Sequence, residues 1–142
     1  MSQAPENTSP ARPEPTARRR VRMVVVDNST IIRLSVQRLF EAHAHVELVG
    51  IAADGAGAME MIATLRPDLV VTDLQMPGVN GLSLTRWLAE YYPATRVIVM
   101  SAHDAHALRE ACNDSGAHGV IEKSSLPIAL PREIERLFGE RD

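Results

Sequence analysis

Three short apolar segments, each running into a polar residue, constrain the fold of this chain more than any other feature. All three are rich in valine and isoleucine and none alternates between apolar and polar side chains. They are residues 22–26, 69–72 and 96–100, and the polar residues that follow them are Asp27, Asp73 and Ser101. Continuous apolar strands of this length are typical of a parallel sheet that helices cover on both faces.

Segments with helical periodicity separate these strands. The predicted helices are residues 32–44, 55–65, 81–91, 104–114 and a last helix that ends near Phe138, and the further strands are residues 46–52 and 118–121. Because proline interrupts helices, we expect regular structure in the last helix only from about Pro131. Five strands that alternate with five helices, joined by right-handed crossovers, predict an α/β doubly wound sheet.

Composition separates a leader from a single domain. Residues 1–20 hold four of the nine prolines, end in three arginines and have few large apolar side chains, so we expect a disordered basic leader before a domain at 21–142. The 142-residue chain has no apolar run near the ~20 residues of a membrane helix. Its only cysteine, Cys112, excludes an internal disulfide and a cysteine-based zinc site, and a cytoplasmic location is expected.

The residues at the strand ends are the candidate site, because function in open parallel sheets gathers beyond the carboxyl ends of the strands. They are Asp27, Asp73, Ser101 and Lys123, the only lysine beside 14 arginines. Two neighbouring carboxylates repel each other and favour a hard cation such as Mg²⁺. An ammonium and a hydroxyl suit a phosphoryl group, which a carboxylate can attack in line. Each aspartate alone is more typical of a helix cap or turn, as we assign Asp54.

The order of these motifs resembles the receiver domain of bacterial two-component response regulators, over residues 22–139. The motifs are Asp27-Asn28 after the first strand, Asp54-Gly55, the signature Asp73-x-x-Met76-Pro77 with Gly81, Ser101-Ala102, and Gly116-Ala-His-Gly119 leading to Lys123. The resemblance implies a flavodoxin-like fold with five parallel strands in the order 2-1-3-4-5 and five helices.

The resemblance also implies a role for each candidate residue. Asp73 would accept a phosphoryl group from a histidine kinase or phosphotransferase. Mg²⁺ would be held by Asp27, Asp73 and the backbone carbonyl of Gln75. Ser101 would be the switch hydroxyl, and Lys123 would form an ion pair with the phosphoryl group.

The sequence departs from the family pattern at three positions, one of which is Ser124, where a proline usually follows the lysine. Asn28 stands where a second acidic residue is usual, so we expect Mg²⁺ to bind more weakly than in a typical receiver. Val120 stands where an aromatic switch residue is usual, so that switch is not available in its usual form. His103 either flanks the water path to the phosphoryl group or has no role.

The expected output is a change in protein contacts through the fourth helix, the fifth strand and the fifth helix. The charged candidates for that face are Arg109, Arg132 and Arg136. A homodimer is an open alternative, and neither a membrane nor direct nucleic-acid binding is expected.

Three other readings compete with a stand-alone receiver. One is a pseudoreceiver that does not use phosphate, which Asn28 favours, and another is the receiver part of a helix-turn-helix transcriptional regulator. A hydrolase of the haloacid dehalogenase type is disfavoured, because Gln75 stands where that family has a second aspartate.

Overall fold

The computed structural model describes residues 20–76 and 78–139 as a five-stranded parallel sheet in the order β2-β1-β3-β4-β5. The strands are β1 (Val21–Val26), β2 (Val46–Ala52), β3 (Leu69–Asp73), β4 (Arg96–Ser101) and β5 (Gly119–Glu122). The helices are α1 (Thr30–Leu39), α2 (Gly55–Leu65), α3 (Gly81–Tyr91), α4 (Ala105–Asp114) and α5 (Leu126–Phe138). The predicted fold class and strand order are confirmed. No helix among the described residues has the length and apolar character needed to span a bilayer.

Alternation along the strands divides the interior into two cores, one on each face of the sheet. Val24 and Val26 of β1 lie in a core with Ile62 and Leu84 from the helices on that face. Met23 and Val25 lie in the opposite core, which α1 and α5 close. Because successive side chains of a strand point to opposite faces, a strand with helices on both sides must be apolar throughout.

Short polar side chains begin the first three helices. Ser29 Oγ accepts a hydrogen bond from Ile32 N at 3.3 Å and starts α1. Asp54 Oδ1 accepts one from Gly57 N at 2.7 Å and starts α2, so Asp54 has a local capping role. These caps satisfy N–H groups that have no partner within the helix.

Several predicted boundaries differ from the structure, and two of them have a clear cause. Helix α1 ends at Leu39 instead of Ala44, because Phe40 turns inward to the core and the chain then makes a turn from His43 N to Phe40 O. Strand β5 begins at Gly119 instead of His118. The reason is that His118 Nδ1, and not a backbone carbonyl, accepts the hydrogen bond of Val97 N.

The prediction that α5 is regular only from about Pro131 was also wrong. A 3₁₀ turn over Lys123–Ser125 supplies the irregular start, and α5 is already helical from Leu126, with Pro131 inside it. Pro131 has no N–H to donate, so one helical hydrogen bond is missing. Leu126, Leu130 and Ile134 are buried along one face of the helix, and this packing outweighs the missing bond.

The predicted leader, residues 1–20, lies outside the described residues except for Arg20. Arg20 is exposed, and its Nη2 donates to Val46 O at 3.3 Å. Strand β1 begins at the next residue, Val21.

Candidate functional site

The sheet order brings the predicted site residues to one edge. β1 and β3 are neighbours, so Asp27, directly after β1, lies beside Asp73, the last residue of β3. β4 follows β3 and carries Ser101 to the same edge, and Lys123 follows β5. Residues about 100 positions apart in the sequence therefore converge because parallel strands all end on the same side.

One ammonium bridges two buried carboxylates at this edge. Lys123 Nζ lies 3.0 Å from Asp27 Oδ2 and 3.1 Å from Asp73 Oδ2. Asp27 is 0% exposed and Asp73 is 4% exposed, whereas the lysine side chain retains 18% exposure. Since two strands separate β5 from β1, the lysine side chain crosses the ends of β4 and β3 to reach both carboxylates.

The remaining carboxylate oxygens are held by the backbone. Asp27 Oδ1 accepts a hydrogen bond from Ser29 N at 2.7 Å, and Asp73 Oδ1 accepts one from Gln75 N at 3.2 Å. Within the described residues, the buried Asp27 Oδ2 has no hydrogen-bond donor other than the lysine ammonium. The two Oδ2 atoms are thus left facing a single cation.

Burial and charge shift the proton affinities of this group. Burial raises the pKa of Asp73, and the nearby Asp27 carboxylate raises it further, while Lys123 and Gln75 N act in the opposite direction without cancelling the rise. Burial works against the charged form of Lys123, but its hydrogen bonds to Asp27 and Asp73 outweigh burial and raise its pKa. The lysine therefore stays positively charged, and Asp73 is the carboxylate whose charge the site disfavours.

The residues predicted for a magnesium ion lie around the carboxylates. Asn28 and the side chain of Gln75 are exposed at the mouth of the site. Mg²⁺ usually takes one or two carboxylates and keeps several waters. The Oδ2 atoms of Asp27 and Asp73, which face the lysine ammonium, fit that requirement. No cluster of three or more histidine, cysteine or acidic side chains suited to a metal exists in the described part of the chain.

Ser101 closes the site on the β4 side. It is 1% exposed, and its Oγ accepts a hydrogen bond from His103 N at 3.0 Å. Ala102 and the side chain of His103 are exposed next to it. The Ser101 hydroxyl therefore lies at the predicted edge of the sheet, where its partner is the backbone of the segment that follows β4.

Other predicted candidates lie away from the carboxylates. Cys112 is fully buried in α4, and burial raises the pKa of its thiol, which disfavours the reactive thiolate. Val120 is a buried core residue. Arg136 Nη2 donates to His118 O at 2.6 Å and to Glu133 Oε1 at 2.7 Å. Arg109, Arg132 and Arg136 are all exposed, and Arg136 differs in that the protein holds its guanidinium.

The sequence analysis did not single out Glu122. Its Oε2 accepts a hydrogen bond from Ala105 N at 3.2 Å, so it connects the end of β5 to the start of α4. The available signal was its position, an acidic residue directly before the only lysine.

Comparisons with known proteins agree with this geometry. The family model for the response regulator receiver domain matches residues 23–135. The chain is 38% identical over 122 residues to protein-glutamate methylesterase/protein-glutamine glutaminase 5 of Myxococcus xanthus, with 84% of this chain and 34% of that protein covered. It is 37% identical over 106 residues to the transcriptional regulatory protein NarL of Mycobacterium tuberculosis, with 75% and 49% covered.

The solved structures show the same likeness. The signal receiver domain of NarL from Mycobacterium tuberculosis superposes with a TM-score of 0.79 at 32% identity, covering 87% of this chain and all of that one. The chain spans about a third to a half of the two curated relatives named above. A family match over most of the described domain, with the site residues at the expected strand ends, leads to one conclusion: the chain belongs to the receiver domain family of two-component response regulators.

Proposed function

We propose that this domain accepts a phosphoryl group on Asp73 and uses it to switch protein contacts. Phosphorylation of an aspartate is typical of the family. The observation that carries the assignment to Asp73 is the shared ion pair, in which Asp73 and Asp27 face Lys123 at 3.1 and 3.0 Å. Asp73 is the last residue of the central strand, and its carboxylate is fixed by Gln75 N, so it is oriented before any donor binds.

The transfer follows from these contacts. A carboxylate oxygen of Asp73 attacks the phosphorus of a phosphohistidine, the P–N bond breaks, and the histidine nitrogen keeps the electron pair and takes up a proton. Lys123 stays charged and pairs with the phosphoryl oxygens, and Ser101 donates its hydroxyl proton to one of them. The domain thereby assists its own phosphorylation and is not an enzyme that acts on a separate substrate.

Magnesium belongs to this proposal. Asp27, Asp73 and the backbone carbonyl of Gln75 would hold it, and it would neutralise the charge of the phosphoryl oxygens. Asn28 supplies an amide oxygen in place of a charge, so we expect weaker binding than with an acidic residue. Titration calorimetry of the wild type and Asn28→Asp measures this, with about tenfold tighter Mg²⁺ binding expected for the variant, since one full charge at close range is worth on the order of 1–2 kcal/mol. Equal affinities would contradict the assignment of Asn28.

Partners and output complete the proposal. A histidine kinase or phosphotransferase supplies the phosphoryl group in the cytoplasm. The output face is formed by α4, β5 and α5, where Arg109 and Arg132 are exposed. Arg136, bound to His118 O, holds β5 against α5 and is a weaker candidate for contact with a partner.

The decisive experiment is phosphorylation by acetyl phosphate with Mg²⁺, followed by intact mass. We expect a gain of one phosphoryl group in the wild type, none in Asp73→Asn, and none when EDTA removes the metal. Asn28→Asp serves as a gain-of-function control, with faster phosphorylation at low Mg²⁺. A wild type that gains no phosphoryl group at any Mg²⁺ concentration would overturn the proposal.

A second candidate function rests on Asn28 alone. A receiver that lacks one of the usual acidic residues is compatible with a pseudoreceiver that binds a partner without phosphate. In that case the mass of the protein stays unchanged with acetyl phosphate, and Asn28→Asp restores the gain. The similarity to NarL also supports a receiver that forms part of a longer transcriptional regulator.

A further inference from the structure

We propose that Glu122 is a positioning residue of the switch, which holds the start of α4 in the unphosphorylated form and releases it when Asp73 is phosphorylated. This inference rests on the proposed function. It concerns the loop of residues 102–104, called here the β4–α4 loop, which joins Ser101 to α4. In this proposal the loop moves together with the start of α4 and brings the Ser101 hydroxyl to the phosphoryl group.

The entry to α4 is held by three side chains. The hydrogen bonds are His103 N to Ser101 Oγ at 3.0 Å, Ala105 N to Glu122 Oε2 at 3.2 Å and His106 N to Asp104 Oδ1 at 2.9 Å. The first and third span two residues and can move with the loop. Of the three, the Glu122 hydrogen bond spans 17 residues and is the one that joins the start of α4 to another strand.

Charge favours this contact. The first turn of α4 contains no acidic residue of its own. A carboxylate near the positive end of a helix is stabilising, and a hydrogen bond to a charged acceptor is stronger than one between neutral groups. Glu122 therefore adds, from β5, a second carboxylate at the start of α4, where the N-cap Asp104 already accepts from His106 N.

Glu122 also has a direct connection to the site. It precedes Lys123, whose ammonium binds Asp27 and Asp73, and it pairs with Ser101 in the β4–β5 ladder. In this proposal the phosphoryl group places oxygen atoms between Asp73 and Lys123, and the resulting shift of the lysine is carried through the backbone to Glu122. The buried Val120 offers no aromatic ring for this coupling. Glu122 thus links the pocket to α4 by a route of its own.

Coupling between two events is reciprocal: if phosphorylation releases Glu122, then removal of the Glu122 contact favours phosphorylation. If the released form is the one that reacts, the phosphorylation rate follows the population of that form. We therefore expect Glu122→Ala to be phosphorylated by acetyl phosphate and Mg²⁺ about fivefold faster than the wild type, a shift at the lower end of typical coupling. Glu122→Gln keeps an oxygen that accepts from Ala105 N, and its rate should stay within about twofold of the wild type. The matched control is Asp104→Ala, which removes a hydrogen bond from the same helix end but not the link to β5, and its rate should be unchanged.

A second measurement does not depend on a variant. Amide hydrogen exchange at Ala105 should be faster in the phosphorylated wild type than in the unphosphorylated protein. If Glu122→Ala does not fold, this measurement by itself tests whether phosphorylation releases the Ala105 N–H. Equal rates for the wild type and Glu122→Ala, an equal rise in Asp104→Ala, or no rescue by Glu122→Gln would overturn the inference. A wild type that takes up no phosphoryl group overturns the proposed function and this inference with it, whereas a phosphorylated wild type with unchanged exchange at Ala105 overturns this inference only.

Discussion

At the carboxyl end of the sheet two buried carboxylates share one ammonium. At the amino end, by contrast, the single residue Asp68 makes hydrogen bonds that connect three strands. Asp68 Oδ2 accepts from Arg22 N at 2.9 Å, Asp68 N donates to Arg22 O at 2.8 Å, and Asp68 O accepts from Arg96 N at 2.9 Å. Asp68 thereby joins the starts of β1, β3 and β4. At the opposite end, Asp27 and Asp73 repel each other and depend on Lys123.

The contrast shows how similar residues take different roles at the two ends. Hydrogen-bonded polar groups at the amino end complete the strand pairing and hold the fold together. Charges at the carboxyl end are crowded, and the energy of that crowding falls when a cation binds there. Substitutions should therefore lower stability at the amino end without altering phosphorylation, and should alter both at the carboxyl end.

The largest expected effect is at the shared lysine. Lys123→Met leaves Asp27 and Asp73 buried without a counter-charge, so the free energy of unfolding should fall by about 3 kcal/mol at neutral pH. Because a divalent cation can take the place of the ammonium, Mg²⁺ should restore part of that loss. Urea unfolding with and without Mg²⁺ measures both effects. Arg132→Ala, at an exposed position, is the control and should change stability by less than about 0.5 kcal/mol. A Lys123→Met protein as stable as the wild type would contradict the shared ion pair.

The next effect is at the amino end. Asp68→Ala leaves Arg22 N without its acceptor, and we expect a loss of roughly 1–2 kcal/mol in urea unfolding. Asp68→Asn keeps an acceptor oxygen and should retain most of the stability. Both variants should be phosphorylated by acetyl phosphate at the wild-type rate. A changed rate in Asp68→Asn would show that the two ends of the sheet are not independent.

A third prediction concerns a substitution at the carboxyl end that should raise, and not lower, the free energy of unfolding. The raised pKa of Asp73 means that the folded protein holds this proton more tightly than the unfolded chain. The group therefore stabilises the fold at pH values below its unfolded pKa, and this contribution is lost as pH rises through its folded pKa. Asp73→Asn removes the disfavoured charge and should raise the free energy of unfolding by about 1 kcal/mol at pH 7. Thermal unfolding of both proteins from pH 4 to 7 measures this, and the difference should shrink as pH falls. A variant less stable than the wild type at pH 7 would contradict it.

The smallest effect is a pH dependence at the amino end. Burial, with Arg96 and Arg136 nearby, lowers the pKa of His118, and its neutral Nδ1 accepts the hydrogen bond of Val97 N at 3.0 Å. As pH falls, the unfolded chain therefore protonates His118 at a higher pH than the folded protein does. The contribution of neutral His118 to stability is complete above the ordinary pKa of about 6.5 and is lost as pH falls below it. We expect a loss of up to about 1 kcal/mol, the worth of one hydrogen bond. His118→Phe should lack this part of the pH profile in thermal unfolding between pH 5 and 7.5, and an unchanged profile would contradict the assignment.

Much of the site was predictable because it depends on strand ends. A buried strand that stops at an aspartate places that aspartate at the sheet edge whatever the loops do, so Asp27, Asp73 and Ser101 followed from local pattern. The lysine followed from its rarity and from the family resemblance. Glu122 and Asp68 were missed, because their partners, Ala105 N and Arg22 N, lie 17 and 46 residues away and are backbone atoms that leave no pattern in the side chains.

Local pattern likewise determined the five strands, most of the helix bounds and the side of the sheet on which the site forms, since apolar runs and helical periodicity act over a few residues. Tertiary structure decided the rest. Packing of Leu126, Leu130 and Ile134 on the sheet keeps α5 helical through Pro131, against the local preference of proline. The ring of His118 replaces a strand carbonyl and delays the start of β5. Lys123 serves two carboxylates because strand order, which no short segment encodes, brings the ends of β1, β3 and β5 within reach of one side chain.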